Sequence, residues 1–116
     1  MDRKKELLEQ YRQMKPEMGI FMIRSMLSNN CHLESTKDLK GTINSSKFKL
    51  GAGNHPNRAL QKDWQAGGAA NFTIEILEQL DYSKDEAKTD YTDELTIMHM
   101  IWEEKLANEK MNFYKK

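Results

Sequence analysis

The chain has 116 residues and 18 lysines plus arginines against 18 aspartates plus glutamates, for a net charge of zero. That length gives one domain, 1–116, with a core of modest size, and the charge balance excludes a protein that coats duplex nucleic acid through overall charge alone. A single cysteine excludes an internal disulfide, the charged N-terminus lacks a signal-peptide core, and no apolar run approaches the roughly 18 residues of a membrane span, so a cytoplasmic protein with no membrane partner is expected.

Asp2 is placed to cap a first helix running from Arg3 to about Met14, with Leu7, Leu8, Tyr11 and Met14 on one stripe. Pro16 ends it, because the residue before a proline is pushed out of helical geometry. The stretch from Gly19 to Thr36 reads as a β-hairpin: an apolar run Ile20 to Met26, turn residues Ser28, Asn29 and Asn30, and a return strand Cys31 to Ser35. Period-two alternation puts His32 and Glu34 on one face of that strand and Cys31 and Leu33 on the other.

Thr36 or Ser35 is expected to cap the next helix, whose apolar side runs through Leu39, Ile43, Phe48 and Leu50. Gly51 to Gly53 breaks it. Asn54 or His55 then caps a helix with Pro56 in its first turn and with Leu60 and Trp64 facing inward, and Gly67-Gly68 stops that helix. Phe72 to Leu80 is the clearest strand, with Phe72, Ile74 and Ile76 sharing a face. An acidic loop follows, then Thr92 is expected to cap a last helix through Leu95, Met98, Trp102 and Leu106, with a tail 107–116 expected to fray unless Phe113 and Tyr114 dock. Three strands with helices packed on them make a small α+β domain.

In this order and spacing the core, residues 18–106, resembles the GIY-YIG family of nucleases, in its homing-endonuclease-like branch. Gly19-Ile20-Phe21 stands where that family has Gly-Ile-Tyr, and Cys31-His32-Leu33-Glu34 where it has a strand ending Tyr-Ile-Gly. Lys37-Asp38-Leu39-Lys40 resembles the start of its first helix. The most specific segments are His55 to Trp64 and Ala70 to Leu77. The resemblance implies a small three-stranded antiparallel sheet flanked by helices, here with an extra N-terminal helix.

Family enzymes cleave a phosphodiester with two tyrosines, an arginine and a metal-binding glutamate, which ready a water and neutralise transition-state charge. Carried over by position, the first tyrosine falls on Phe21, which has no hydroxyl, and the second on His32. The arginine falls on Thr42, and threonine cannot supply a planar cation. The glutamate falls on His99, three before Trp102, and imidazole is a poor ligand for Mg²⁺. A family histidine falls near Ser46, and Asn57 alone matches. Losing these groups together removes many kilocalories of transition-state stabilisation. The resemblance thus implies a nuclease-like fold whose nuclease activity has been lost.

Beyond the resemblance, His32, His55 and His99 are candidate ligands for a transition metal in a repurposed site, against a plainer reading as histidines that fill vacated space. No cofactor is expected, with a divalent metal as the alternative if the site is active. Lys37, Lys40, Lys47, Lys49, Arg58 and Lys62 face only Asp38 and Asp63 over residues 37–63, while Glu75 to Glu94 is acidic; such polarity orients a protein on nucleic acid. Lys40, Lys47, Lys49, Asn57 and Arg58 are therefore the nucleic-acid-binding candidates, for DNA or RNA. The lysines are not interleaved with aromatic residues apart from Phe48, so base stacking is not signalled. Met18, Met22, Met26, Met98 and Met100 read as core filling, with a protein-binding groove as the rival reading. Cys31 reads as a small buried residue, and Trp64 and Trp102 as core. The favoured function is a binding or regulatory module for nucleic acid; a histidine-centred phosphodiesterase and a protein-interaction domain are the alternatives.

Overall fold

The computed structural model describes residues 3–7 and 15–114. Its centre is a strand, β1 (Met18–Ser25), whose residues are almost all buried. The MGIFMIRS sequence is a near-continuous apolar run rather than an alternating one, as a strand covered on both faces requires. It pairs antiparallel with β2 (Asn30–Thr36) through a tight hairpin and antiparallel on its other side with β3 (Phe72–Leu80). Asn30, expected in the turn, is the first residue of β2, and Met26 lies beyond β1 and is exposed.

The sheet has four strands in the order β3-β1-β2-β4, not three. The fourth, β4 (Asn112–Phe113), runs parallel to β2 opposite Asn30 and Cys31. The expected frayed tail is therefore docked. Lys110 takes a positive φ of 64° and turns the chain back, and the free backbone groups of the β2 edge receive it: Asn112 donates to the Asn29 carbonyl and Tyr114 to the Cys31 carbonyl, each at 2.9 Å. A two-residue strand has no alternation to detect in a sequence.

Helices cover both faces. On one lie α1 (Leu39–Ala52) and α2 (Arg58–Gly67), packed through Leu39, Leu50 and Leu60 on Phe21 and Ile23, with Trp64, Phe72 and Ile74 at the margin. On the other lies α3 (Thr92–Asn108), whose Leu106, Met98 and Trp102 meet Ile20, Met22, Cys31, Leu33 and Leu77. Met18, Tyr91 and Leu95 close the end of the sheet. No described helix is long and apolar enough to cross a membrane.

The caps differ from those expected. Asp38, not Thr36 or Ser35, caps α1 by accepting from the Gly41 N–H, and Gly53, in the left-handed conformation, ends it after the helix has run through Gly51. Phe48 does not join the apolar side of α1 but stands exposed, because its position on the helix points between the two lysine-bearing faces. Asn57, not Asn54 or His55, caps α2 by accepting from the Leu60 N–H. Thr92, expected to cap the last helix, is instead its first residue; Tyr91 is the N-cap and makes no side-chain capping bond, while Asp90 Oδ1 accepts from the Thr92 N–H at 3.0 Å. In β3 the pairing slips between Ile20 and Phe21, so Leu77 is unpaired; Ile76, expected on one face with Phe72 and Ile74, is paired with Phe21 on this edge strand but exposed. Gly19 sits beside that irregularity: a Cβ there would lie 2.0 Å from the Glu78 carbonyl oxygen, so the close approach of β3 admits only glycine.

Residues 3–7 of the expected first helix are helical, with Leu7 exposed. The remainder, including Asp2, Leu8, Tyr11 and Met14, lies outside the described residues.

Candidate functional site

Alternation along β2 sends His32 and Glu34 to the α1/α2 side of the sheet, where the loop between α1 and α2 meets them. The two side chains are joined there, His32 Nε2 lying 3.0 Å from Glu34 Oε1. His32 is 7 % exposed, and its other nitrogen, Nδ1, lies 3.3 Å from the Asn57 amide nitrogen Nδ2. Asn57 is 1 % exposed and fully used: Oδ1 accepts from Leu60 N–H at 3.1 Å, and Nδ2 also donates to the Tyr114 carbonyl at 3.2 Å. The capping bond fixes which end of the amide is oxygen. Nδ2 is then the donor toward His32, so Nδ1 of that ring accepts and Nε2 carries the hydrogen given to Glu34.

His55 packs edge-on against His32, ring centroids 5.3 Å apart. It is 3 % exposed. Its Nδ1 accepts from the Asn57 backbone N–H at 3.0 Å, which leaves the ring proton on Nε2. Burial pushes the His55 pKa below the usual histidine value; the neighbouring His32 and Lys49 act in the same direction and Glu34 against it. Gln61 holds the loop. It accepts from the His55 backbone N–H and donates to the Leu50 carbonyl, each at 2.9 Å. Gln61 did not stand out in the sequence. The available signal was a polar residue beside Leu60 on the inner stripe of α2.

His32, Glu34, His55 and Asn57 form one wall of a cleft of about 460 Å³ whose other wall is α1. Thr42, Ser45, Ser46 and Lys49 line that wall, with Asp38 and Gly41 at its start. Thr42 spends its hydroxyl on Thr36, 2.6 Å away. Lys49 brings a cation to the cleft, while Lys40, Lys47 and Arg58 stand exposed on the outer surfaces of α1 and α2. Phe21 is wholly buried in the core and lines neither this cleft nor its neighbour.

The neighbouring cleft, of about 400 Å³, opens on the other side of Asn57 along the β2 edge. His99 reaches it from α3, on the opposite face of the sheet from His32. Its Nε2 donates to the Leu33 carbonyl at 3.2 Å, and Glu103 lies 3.5 Å from its Nδ1. The three histidines thus divide: His32 and His55 touch, and His99 stands across the strand edge. Among the described residues, no three His, Cys, Asp or Glu side chains are grouped so as to hold a metal ion. Cys31 is buried and its pKa is raised by that burial.

Tyr114 borders the second cleft, and its hydroxyl donates to Asp63 Oδ2. Burial first, and that carboxylate second, raise the Tyr114 pKa well above the usual tyrosine value. Tail, α2 and β2 are therefore locked together around Asn57.

No protein-family model matches the chain, and no curated protein matches it. Two solved structures do. One is the catalytic domain of the homing endonuclease I-TevI, 23% identical, with a TM-score of 0.66, covering 85% of this chain and 99% of that one. The other is a single-residue variant of the catalytic domain of intron endonuclease I-TevI, 27% identical, with a TM-score of 0.65, covering 85% of this chain and 92% of that one. The chain has the α+β fold of a GIY-YIG catalytic domain, with a four-stranded sheet.

Proposed function

We propose that this nuclease-like domain binds nucleic acid, with the phosphodiester backbone lying in the cleft between β2 and α1, and that it does not cut what it binds. The observation that carries the reading is the cleft itself. Lys49 supplies positive charge and the α1 wall supplies the Ser45 and Ser46 hydroxyls, beneath helices that also bear Lys40, Lys47 and Arg58. Phosphate oxygens are held by such donors. Cleavage needs more. The position of the expected tyrosine is a buried phenylalanine, and Thr42 offers a hydroxyl already bonded to Thr36. His32 Nε2 is bonded to Glu34, and the Asn57 amide occupies its other ring nitrogen.

Fluorescence anisotropy with a labelled oligonucleotide tests the binding. Binding that weakens steeply from about 50 to about 200 mM salt is expected, and the pair Lys49→Glu with Arg58→Glu should abolish it. An absence of binding at low salt overturns the proposal. Plasmid incubated with Mg²⁺, Mn²⁺ or Zn²⁺ should remain intact. Cutting that His32→Ala or His99→Ala removes would instead establish a histidine-centred phosphodiesterase.

A further inference from the structure

Phe48 is the most exposed large hydrophobic side chain among the described residues, at 77 %, and it lies in the middle of a well-formed helix. At 100° per residue it occupies a defined place on α1. On one side of it lie Ser45 and Lys49, which line the cleft. On its other side lies the stripe of Lys40 and Lys47, one heptad apart and both exposed. The residues three and four away are Asn44, Ser45, Gly51 and Ala52, all small, so nothing on the helix rises over the ring. A Cβ added at Gly51 would meet no atom within 4 Å. Phe48 packs against none of the three core clusters.

Resting on the reading of the cleft as a nucleic-acid site, we propose that Phe48 is a stacking platform for an unpaired base and that the ligand is single-stranded nucleic acid. The charge pattern favours this occupant over an apolar protein surface. A docking protein would have to bury Phe48 together with the lysines that flank it on both sides, whereas a nucleotide matches both features, its phosphates meeting the lysines and its base the ring. A duplex offers only stacked, paired bases, so its backbone can reach Lys49, Lys40 and Lys47 but no base can lie on Phe48. The strand crosses α1 obliquely, from the cleft at Lys49, over Phe48, to the outer lysines.

The test compares a labelled single strand of about 12 nucleotides with its duplex, against the wild-type chain and the variants Phe48→Ala, Phe48→Leu and Phe48→Trp. The exposed position makes all three compatible with folding, which circular dichroism checks. Tighter binding of the single strand is expected, with a loss of about 5- to 150-fold in Phe48→Ala. Phe48→Leu, apolar but without a ring, should lose nearly as much, and Phe48→Trp should restore or exceed the wild-type affinity. Duplex affinity should be unchanged in all three. Equal single-strand affinity in wild type and Phe48→Ala, with binding still salt-dependent, overturns the stacking role and leaves the cleft reading standing. Binding of neither form overturns both. A self-association of the wild-type chain in light scattering that Phe48→Ala abolishes also overturns it, by assigning the ring to a protein interface.

Discussion

Asn57 Nδ2 lies 3.3 Å from His32 Nδ1, and the same amide caps α2 through Leu60 and holds the Tyr114 carbonyl. One buried side chain thereby sets the tautomer of a cleft histidine, starts a helix and fastens the chain's last described residue. Replacing Asn57 with alanine strands several polar groups at once, and should cost about 2–4 kcal/mol of stability in a denaturant titration. Asn57→Asp keeps the capping oxygen but aims a carboxylate at the Tyr114 carbonyl and at His32 Nδ1. It should therefore recover only part of the loss at neutral pH.

The buried His55 makes stability depend on pH. Its folded pKa lies below the ordinary value of about 6.5. Between the two values the unfolded chain binds more protons than the folded one, so stability rises with pH through that window. The contribution is fully present above about pH 6.5 and is lost as the pH falls toward the folded value. Facing groups are His32, Lys49 and Glu34, the last opposing the shift. His55→Asn, whose side-chain oxygen can still accept the Asn57 N–H, should flatten the slope of the unfolding free energy below about pH 6.5. An unchanged slope would assign the dependence to other groups.

Tyr114 should resist ionisation well above the pH at which an ordinary tyrosine titrates. Burial and the Asp63 carboxylate both oppose the phenolate. A spectrophotometric titration should show one tyrosine that resists ionisation until the chain unfolds at high pH, and Tyr114→Phe should remove that component. The same variant loses the bond to Asp63 from a half-buried site and should destabilise the chain by about 1 kcal/mol.

Gly19→Ala should be far more damaging than its single methyl suggests. The new Cβ meets a backbone oxygen of β3, not a side chain that can move aside. A loss of about 3 kcal/mol or more is expected from the displaced strand. Gly51→Ala makes the control, since that site is open and helical, and should be neutral or stabilising by about 0.5–1 kcal/mol.

Each element is legible in the sequence to the extent that its signal is local. β3 was legible to the residue because Phe72 to Leu80 carries alternation between two clear stops. The hairpin was legible because Asn29 and Asn30 sit between two β-favouring runs. The start of α1 is ambiguous in the sequence because Ser35, Thr36 and Asp38 are all good caps; in the fold Asp38 takes the Gly41 N–H, and the Leu39 N–H goes to the Glu17 carbonyl at 2.8 Å, a contact no local pattern shows. Phe48 stands outside the core because its spacing from Leu39 and Leu50 fits no single stripe, although aromatic residues are usually core-forming. β4 was invisible because its partner, Asn30–Cys31, lies some eighty residues away and the pairing is two residues long. Of the site, His32, Asn57 and Lys49 line one cleft. The split between His32 with His55 and His99 depends on which face of the sheet α3 covers, and no local pattern encodes that.

The position of β1 at the centre of the sheet dictates an order of assembly. Its hairpin with β2 involves neighbours in the chain and can close within microseconds. Pairing with β3 must wait until the long connection holding α1 and α2 is looped, a slower search over distant contacts. Even then Ile20, Met22, Cys31 and Leu33 stay uncovered until α3, the last helix, lays Met98, Trp102 and Leu106 over them. A chain interrupted before Thr92 therefore presents a bare apolar sheet face, and its fate is set by a race between a folding step that can no longer happen and association with other exposed surfaces.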